Sequence, residues 1–184
     1  MRYSCSLVLL VAIVTVAPAP VRAQAPSAAA KRCGDGLLDA GENCKDCPAD
    51  CAAQACTPST SHAVFEIKFV PPLAPDVTTT VLRVAYRSDR LSLPGAGTEA
   101  PVRARIKPSP GAAMVVANDL DYAVRVVVSG STALPPGVLF TLEFDGCNGA
   151  PAPSAADLSC AVEACANSSG PTNDCHCVVA SAKP

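Results

Sequence analysis

Cysteine is the side chain with the most chemistry to offer in this sequence, with eleven in 184 residues. Apart from Cys5 they fall into two groups, Cys33, Cys44, Cys47, Cys51 and Cys56, then Cys147, Cys160, Cys165, Cys175 and Cys177. Such groups either hold metal or form disulfides. Cys44-x2-Cys47 followed by Cys51 has a zinc-like spacing, so the destination of the chain decides. Arg2 precedes an apolar run over residues 7–16, and residues 17–23 supply the small side chains of a cleavage site before Gln24. That order describes a secretory signal peptide over residues 1–23, and its apolar run is too short for the ~20 residues of a membrane span. Cleavage removes Cys5, Arg2 and Arg22, leaving ten cysteines and moving the formal charge from −2 to −4. In an oxidising compartment those ten read as a disulfide framework rather than a zinc site. Five is odd in each group, so either at least one bridge joins the groups or each keeps a free or intermolecular thiol. Cys175 and Cys177 share one face of a strand and are expected to take different partners.

Other reactive groups are sparse. Asp35, Asp39, Glu42, Asn43 and Asp46 place hard oxygens in a glycine-broken loop, which makes them candidate calcium ligands. Read as an EF-hand from Asp35, the third position is Leu37 and the sixth Ala40, so that template fails. Of the two histidines, His62 opens a strand-like run and His176 lies between two cysteines. There is no H-E-x-x-H, G-x-S-x-G or phosphate-cradling glycine loop. The expectation is a non-enzymatic protein with no obligatory cofactor. The mild net charge gives nucleic-acid binding no support.

The elements that position these groups read as strands. Ala63, Phe65, Ile67 and Phe69 alternate with Val64, Glu66 and Lys68 until Pro71-Pro72 stops the run. Leu82, Val84 and Tyr86 alternate with Arg83 and Ala85; Val102, Ala104 and Ile106 with Arg103, Arg105 and Lys107. Tyr122, Val124, Val126 and Val128 form another such set, and so do Val138, Phe140, Leu142 and Phe144. Shorter runs at 114–116, 158–160 and 177–179 suit edge strands. Period two with Gly/Pro/Asp turns, and proline too frequent for long helices, predicts an all-β antiparallel sandwich. Its domain map is a linker over 24–32, a cysteine-rich segment over 33–56, a second linker over 57–61 and the sandwich over 62–181.

Two stretches carry a family likeness. Residues 82–93, LRVAYRSDRLSL, resemble the cohesin pattern of a strand ending in Tyr, a polar turn and then x-L-x-L. Residues 134–144, LPPGVLFTLEF, resemble the same family's G-x-L-x-x-(L/I)-x-F strand. The resemblance covers residues 62–181 and implies a jelly-roll sandwich of the superfamily shared by cohesins and cellulose-binding modules. It also implies binding of a dockerin-type protein module in an extracellular, polysaccharide-associated assembly. Residues 33–51 are similar to the CGxGxCxxGExCxxCPxDC segments of secreted, often bacterial, multidomain proteins, with Leu38 where those carry a cysteine.

Arg83, Arg103, Arg105 and Arg125 take the outward phase of three predicted strands, and Lys107 continues one of them. The acids of the same interval, Asp89, Glu99, Asp119 and Asp121, fall in or beside turns. If those strands share a sheet, its outer face is a basic patch able to orient carboxylates of a partner. The alternatives are direct carbohydrate binding, as in the related cellulose-binding modules, and a structural surface domain with no ligand of its own. Carbohydrate binding ranks lower because Phe65, Phe69, Tyr86, Tyr122, Phe140 and Phe144 share the core parity of their strands, leaving no flat ring for a sugar. The protein is expected to be secreted, at the cell surface or free, with no membrane span.

Overall fold

The structure, a computed structural model, describes residues 33–38, 42, 46–50, 56–73, 76–120 and 122–182. The expected signal peptide and first linker lie outside them. Among the described residues, ten strands, one short α-helix and a 3-10 turn (Ala155–Asp157) follow one another: β1 (Pro58–Val70), β2 (Thr79–Tyr86), β3 (Leu91–Ser92), α1 (Ala100–Ala104), β4 (Ile106–Pro108), β5 (Met114–Asp119), β6 (Ala123–Ser129), β7 (Gly137–Cys147), then after the 3-10 turn β8 (Leu158–Asn167), β9 (Gly170–Thr172) and β10 (His176–Ser181). They make two five-stranded antiparallel sheets. The first runs β10-β1-β7-β3 with β4 also paired to β7, and the second runs β5-β6-β2-β8-β9. The sandwich expected from the alternation is therefore present.

Parity explains the core. Phe65, Ile67 and Phe69 of β1 and Phe140, Leu142 and Phe144 of β7 face Leu82, Val84, Val124, Val126 and Val128 of the second sheet, all buried in one cluster. Fully burying each such side chain contributes about 1.5–3 kcal/mol. Phe144 stands edge-on to Phe65 at 6.1 Å between centroids and tilted against Tyr86 at 4.9 Å, the offset contacts that ring quadrupoles prefer. Buried Tyr86 donates its hydroxyl to Asp119 at 3.0 Å, so the polar tip of the ring is satisfied inside.

Four disulfides are seen among the described residues: Cys33–Cys47, Cys56–Cys147, Cys160–Cys177 and Cys165–Cys175. Cys56–Cys147 joins the two groups, the first of the two alternatives that the odd counts allow. Cys175 and Cys177 do take different partners, and both reach β8, lacing one side of the sandwich shut. Cys44 and Cys51 lie outside the described residues.

Two expectations need correction. Residues 57–61 are not a linker: β1 begins at Pro58, which pairs with Cys147, and the adjoining Cys56–Cys147 bridge holds that end in the sheet. Nor do residues 102–106 form one strand. Pro101 stands in the first turn of α1, where its missing N–H costs nothing. Val102 is the buried residue of the helix, which ends at its C-cap Arg105, and Ile106, also buried, opens β4.

Candidate functional site

The five predicted basic residues do not form one face. Arg83 on β2 and Arg125 on β6 belong to the second sheet, whereas Lys107 on β4 belongs to the first. Arg103 lies in α1, and Arg105 is its C-cap. Most are also already committed. The Arg105 guanidinium bridges Glu143 and, at 2.7 Å, Asp145 on β7. Lys107 stands 3.7 Å from Glu143. His62 joins the same network, its Nδ1 at 2.9 Å from Asp145 and 3.6 Å from Glu143. The outer surface here is thus a neutralised ion-pair ladder over β1, β4 and β7, and Glu143 and Asp145 serve as acceptors for Arg105. Arg103 is exposed and donates to the Thr98 carbonyl. The basic patch failed as an expectation because strand order, which sequence does not reveal, put its members on different sheets.

Arg83 and Arg125 are directly opposed across β2 and β6, a like-charge pair that a sheet tolerates only when each finds relief. Arg125 turns to Glu163 on β8 at 2.6 Å. Arg83 donates from Nη2 to the Leu38 carbonyl at 3.2 Å, and its Nε is buried. Arg83 therefore anchors the cysteine-rich segment. That segment is organised by Asp50, whose carboxylate accepts the N–H groups of Gly34 and Gly36. Gly36 has φ +84°, and a Cβ there would come within 3.1 Å of Arg87 Nε, so both conformation and space require glycine.

The calcium expectation receives little from this geometry. Cys33, Glu42, Cys47 and Asp50 bring their ligand atoms within 4.8 Å of one another, but the two sulfurs are joined as a disulfide. Asp35 Oδ1 accepts the Leu37 N–H at 2.9 Å. Glu42 alone of the predicted set enters the cluster among the described residues, and Asp39 and Asn43 lie outside them. Asp50, which sequence reasoning passed over, is the carboxylate that orders the loop. Beside it, Arg87 and Asp89 form a bidentate pair. The hydrogen bond from Arg87 holds the Asp89 carboxyl below its ordinary pKa, partly against desolvation, and Asp89 raises that of Arg87. The cleft between them measures about 160 Å³, is polar, and is lined by Gly34, Asp35, Asp50, Arg87 and Asp89.

One surface remains open and ordered. On the outer face of the second sheet, Val116, Val127, Val81 and Ala164 are directly paired from β5 through β6 and β2 to β8. Direct partners point to one side, so they form an apolar row across four strands. Val116 is 46% exposed, and Met114, in the next row, is 52% exposed. Asn118, Arg125 and Arg83 make the row on the other side of it, with Glu163 beside Arg125. Farther along, the outward-phase Ala85 and Ala123 are buried, at the end of the sheet where Arg83 holds Leu38. The open part of this face is mixed: Met114, Val116 and Ala164 are exposed, Val81 and Val127 are half-buried, and Thr79 and Ser129 stand beside Met114. The missed signal lay in Val81, Val116 and Val127, off-phase valines that alternation alone would make polar.

Among the described residues no helix is long and apolar enough to cross a membrane. No family model, curated protein or solved structure matches this chain.

Proposed function

We propose that this chain is a secreted, non-enzymatic binding module of cohesin type. It takes a partner protein module of dockerin type on the outer face of the β5-β6-β2-β8-β9 sheet. The observation that carries this reading is the apolar row of Val116, Val127, Val81 and Ala164, in register, exposed at Val116 and Ala164 and half-buried at Val127 and Val81. A face that only meets water alternates to polar residues, whereas a contiguous exposed apolar patch marks an interaction site. Polar groups at its margin, Asn118, Arg125 and Glu163, match the rim of a protein interface. Four disulfides support export. Direct sugar stacking is disfavoured because Phe65, Phe69, Tyr86, Phe140 and Phe144 are buried; Tyr122, expected in the core, is instead half-buried just before β6, and one ring is less than a stacking platform.

The test is calorimetric titration of the mature chain with purified dockerin modules, beside Val116→Glu and Val127→Glu. Neither exchange disturbs the core, so far-UV circular dichroism should be unchanged. Binding should weaken at least ~10-fold, more than ~1.4 kcal/mol, for loss of a central apolar contact. Equal binding by the variants, or no binding by the parent chain to any module, contradicts the reading.

A further inference from the structure

Asn148-Gly149 is the single Asn-Gly step in the sequence, and the fold leaves it chemically open. It directly follows β7, in a turn closed by the Ala150 N–H donating to the Cys147 carbonyl at 3.2 Å. Both residues are exposed. Gly149 has φ +78°, and a Cβ placed on it would meet nothing within 4 Å. Among the described residues nothing accepts the Gly149 N–H.

The comparable steps are locked. At Asp35-Gly36 the Gly36 N–H is given to Asp50 at 2.8 Å and Asp35 Oδ1 accepts from Leu37. Asp145-Gly146 lies inside β7, paired to β3, and a Cβ on Gly146 would come 2.7 Å from Ser61 Oγ. A backbone nitrogen that donates a structural hydrogen bond, or is held in a ladder, is not available as a nucleophile.

We propose that Asn148 is a self-modifying site whose only co-reactant is water. The Gly149 backbone nitrogen, after losing its proton to solvent base, attacks Asn148 Cγ. The Cγ–Nδ2 bond breaks, and Nδ2 takes up a proton and leaves as ammonia, closing a five-membered imide. Water then adds to either imide carbonyl and opens the ring to aspartate or isoaspartate, with no change of oxidation state. The consequence is local and directional. Asn148 now clamps its turn to the start of β1, its N–H donating to Thr57 at 2.9 Å and Nδ2 to Pro58 at 3.3 Å. A carboxylate cannot donate, so the second bond is lost and a negative charge faces the Pro58 carbonyl, beside the Cys56–Cys147 bridge. The same charge enters the roughly 330 Å³ cleft lined by Asp89, Arg90, Cys147 and Asn148.

The experiment holds the folded mature chain, its Asn148→Gln variant and a synthetic peptide of residues 146–152 at mildly alkaline pH. Peptide mapping follows the gain of about 1 Da that marks amide-to-acid conversion, and isoaspartyl methyltransferase reports the rearranged product. Conversion at Asn148 in the parent chain, absent from the Gln variant, is the expected result. Hydrogen exchange of the Asn148 amide should quicken in the converted fraction. An unconverted folded chain, while the peptide converts in the same buffer, overturns the proposal. Modification centred on Asp35, or equal in the Gln variant, also overturns it.

Discussion

Replacing Cys56 and Cys147 by alanine should weaken the fold more than removing any other observed bridge. The reason is loop length. A cross-link restricts the unfolded chain in proportion to the logarithm of the loop it closes, and Cys56–Cys147 spans 91 residues against 17 for Cys160–Cys177 and 10 for Cys165–Cys175. The chain-entropy relation gives about 4.6, 3.1 and 2.7 kcal/mol respectively. The smallest loop is nested inside the 17-residue one, so while Cys160–Cys177 is intact its removal should cost less still. The long bridge also fixes the Pro58↔Cys147 register at the start of β1, which adds to its effect. Equilibrium urea unfolding provides the assay. With a slope of about 2 kcal/mol/M, the long-bridge variant should unfold about 2 M earlier. Its slope should also steepen, because the unfolded chain expands when the cross-link is gone. A Cys165→Ala/Cys175→Ala variant that is less stable than the Cys56→Ala/Cys147→Ala variant would refute the reasoning.

Phe144→Ala should cost about 3–5 kcal/mol in the same assay, since the ring is fully buried between Phe65 and Tyr86. Arg90→Ala leaves the buried Asp157 carboxylate without its 2.7 Å ion pair and should cost about 2–4 kcal/mol. Arg125→Ala, which removes an exposed pair with Glu163, should cost less than ~1 kcal/mol. For Asp89, the folded carboxyl titrates below its unfolded value of about 3.9. Its contribution is therefore fully present above about pH 3.9 and lost as pH falls through the lower folded value. The stability gap between parent chain and Asp89→Asn, measured across an acid series, should close in that window and stay constant above it.

The sandwich was legible because β1, β2, β6 and β7 each bury one parity, and alternation records that directly. What alternation could not record is strand order. Arg83, Arg105 and Arg125 shared an outward phase in sequence, yet topology separated Arg105 from the other two and supplied Glu143, Asp145 and Glu163 as partners. Residues 102–106 alternate as a strand would, yet Pro101 in the first turn of α1 and the C-cap at Arg105 divide them between a helix and β4. Thr57 to Ser61 reads as a linker by composition, although the single Cys56–Cys147 disulfide, at the start of β1 and the end of β7, holds this serine-rich chain in the sheet. The apolar row was invisible for a related reason. Val81, Val116 and Val127 lie far apart in sequence, and only the β5-β6-β2 pairing puts them side by side.

Hydrogen-exchange mass spectrometry of the chain from residue 24 onward, alone and with an excess of dockerin module, tests the proposed docking face most directly. Slowed exchange should map to residues 79–86, 114–119, 123–129 and 158–167, with residues 58–70 and 137–147 unchanged. Protection concentrated instead on the first sheet, around His62, Arg105 and Glu143, would contradict the assignment of the apolar row as the binding surface.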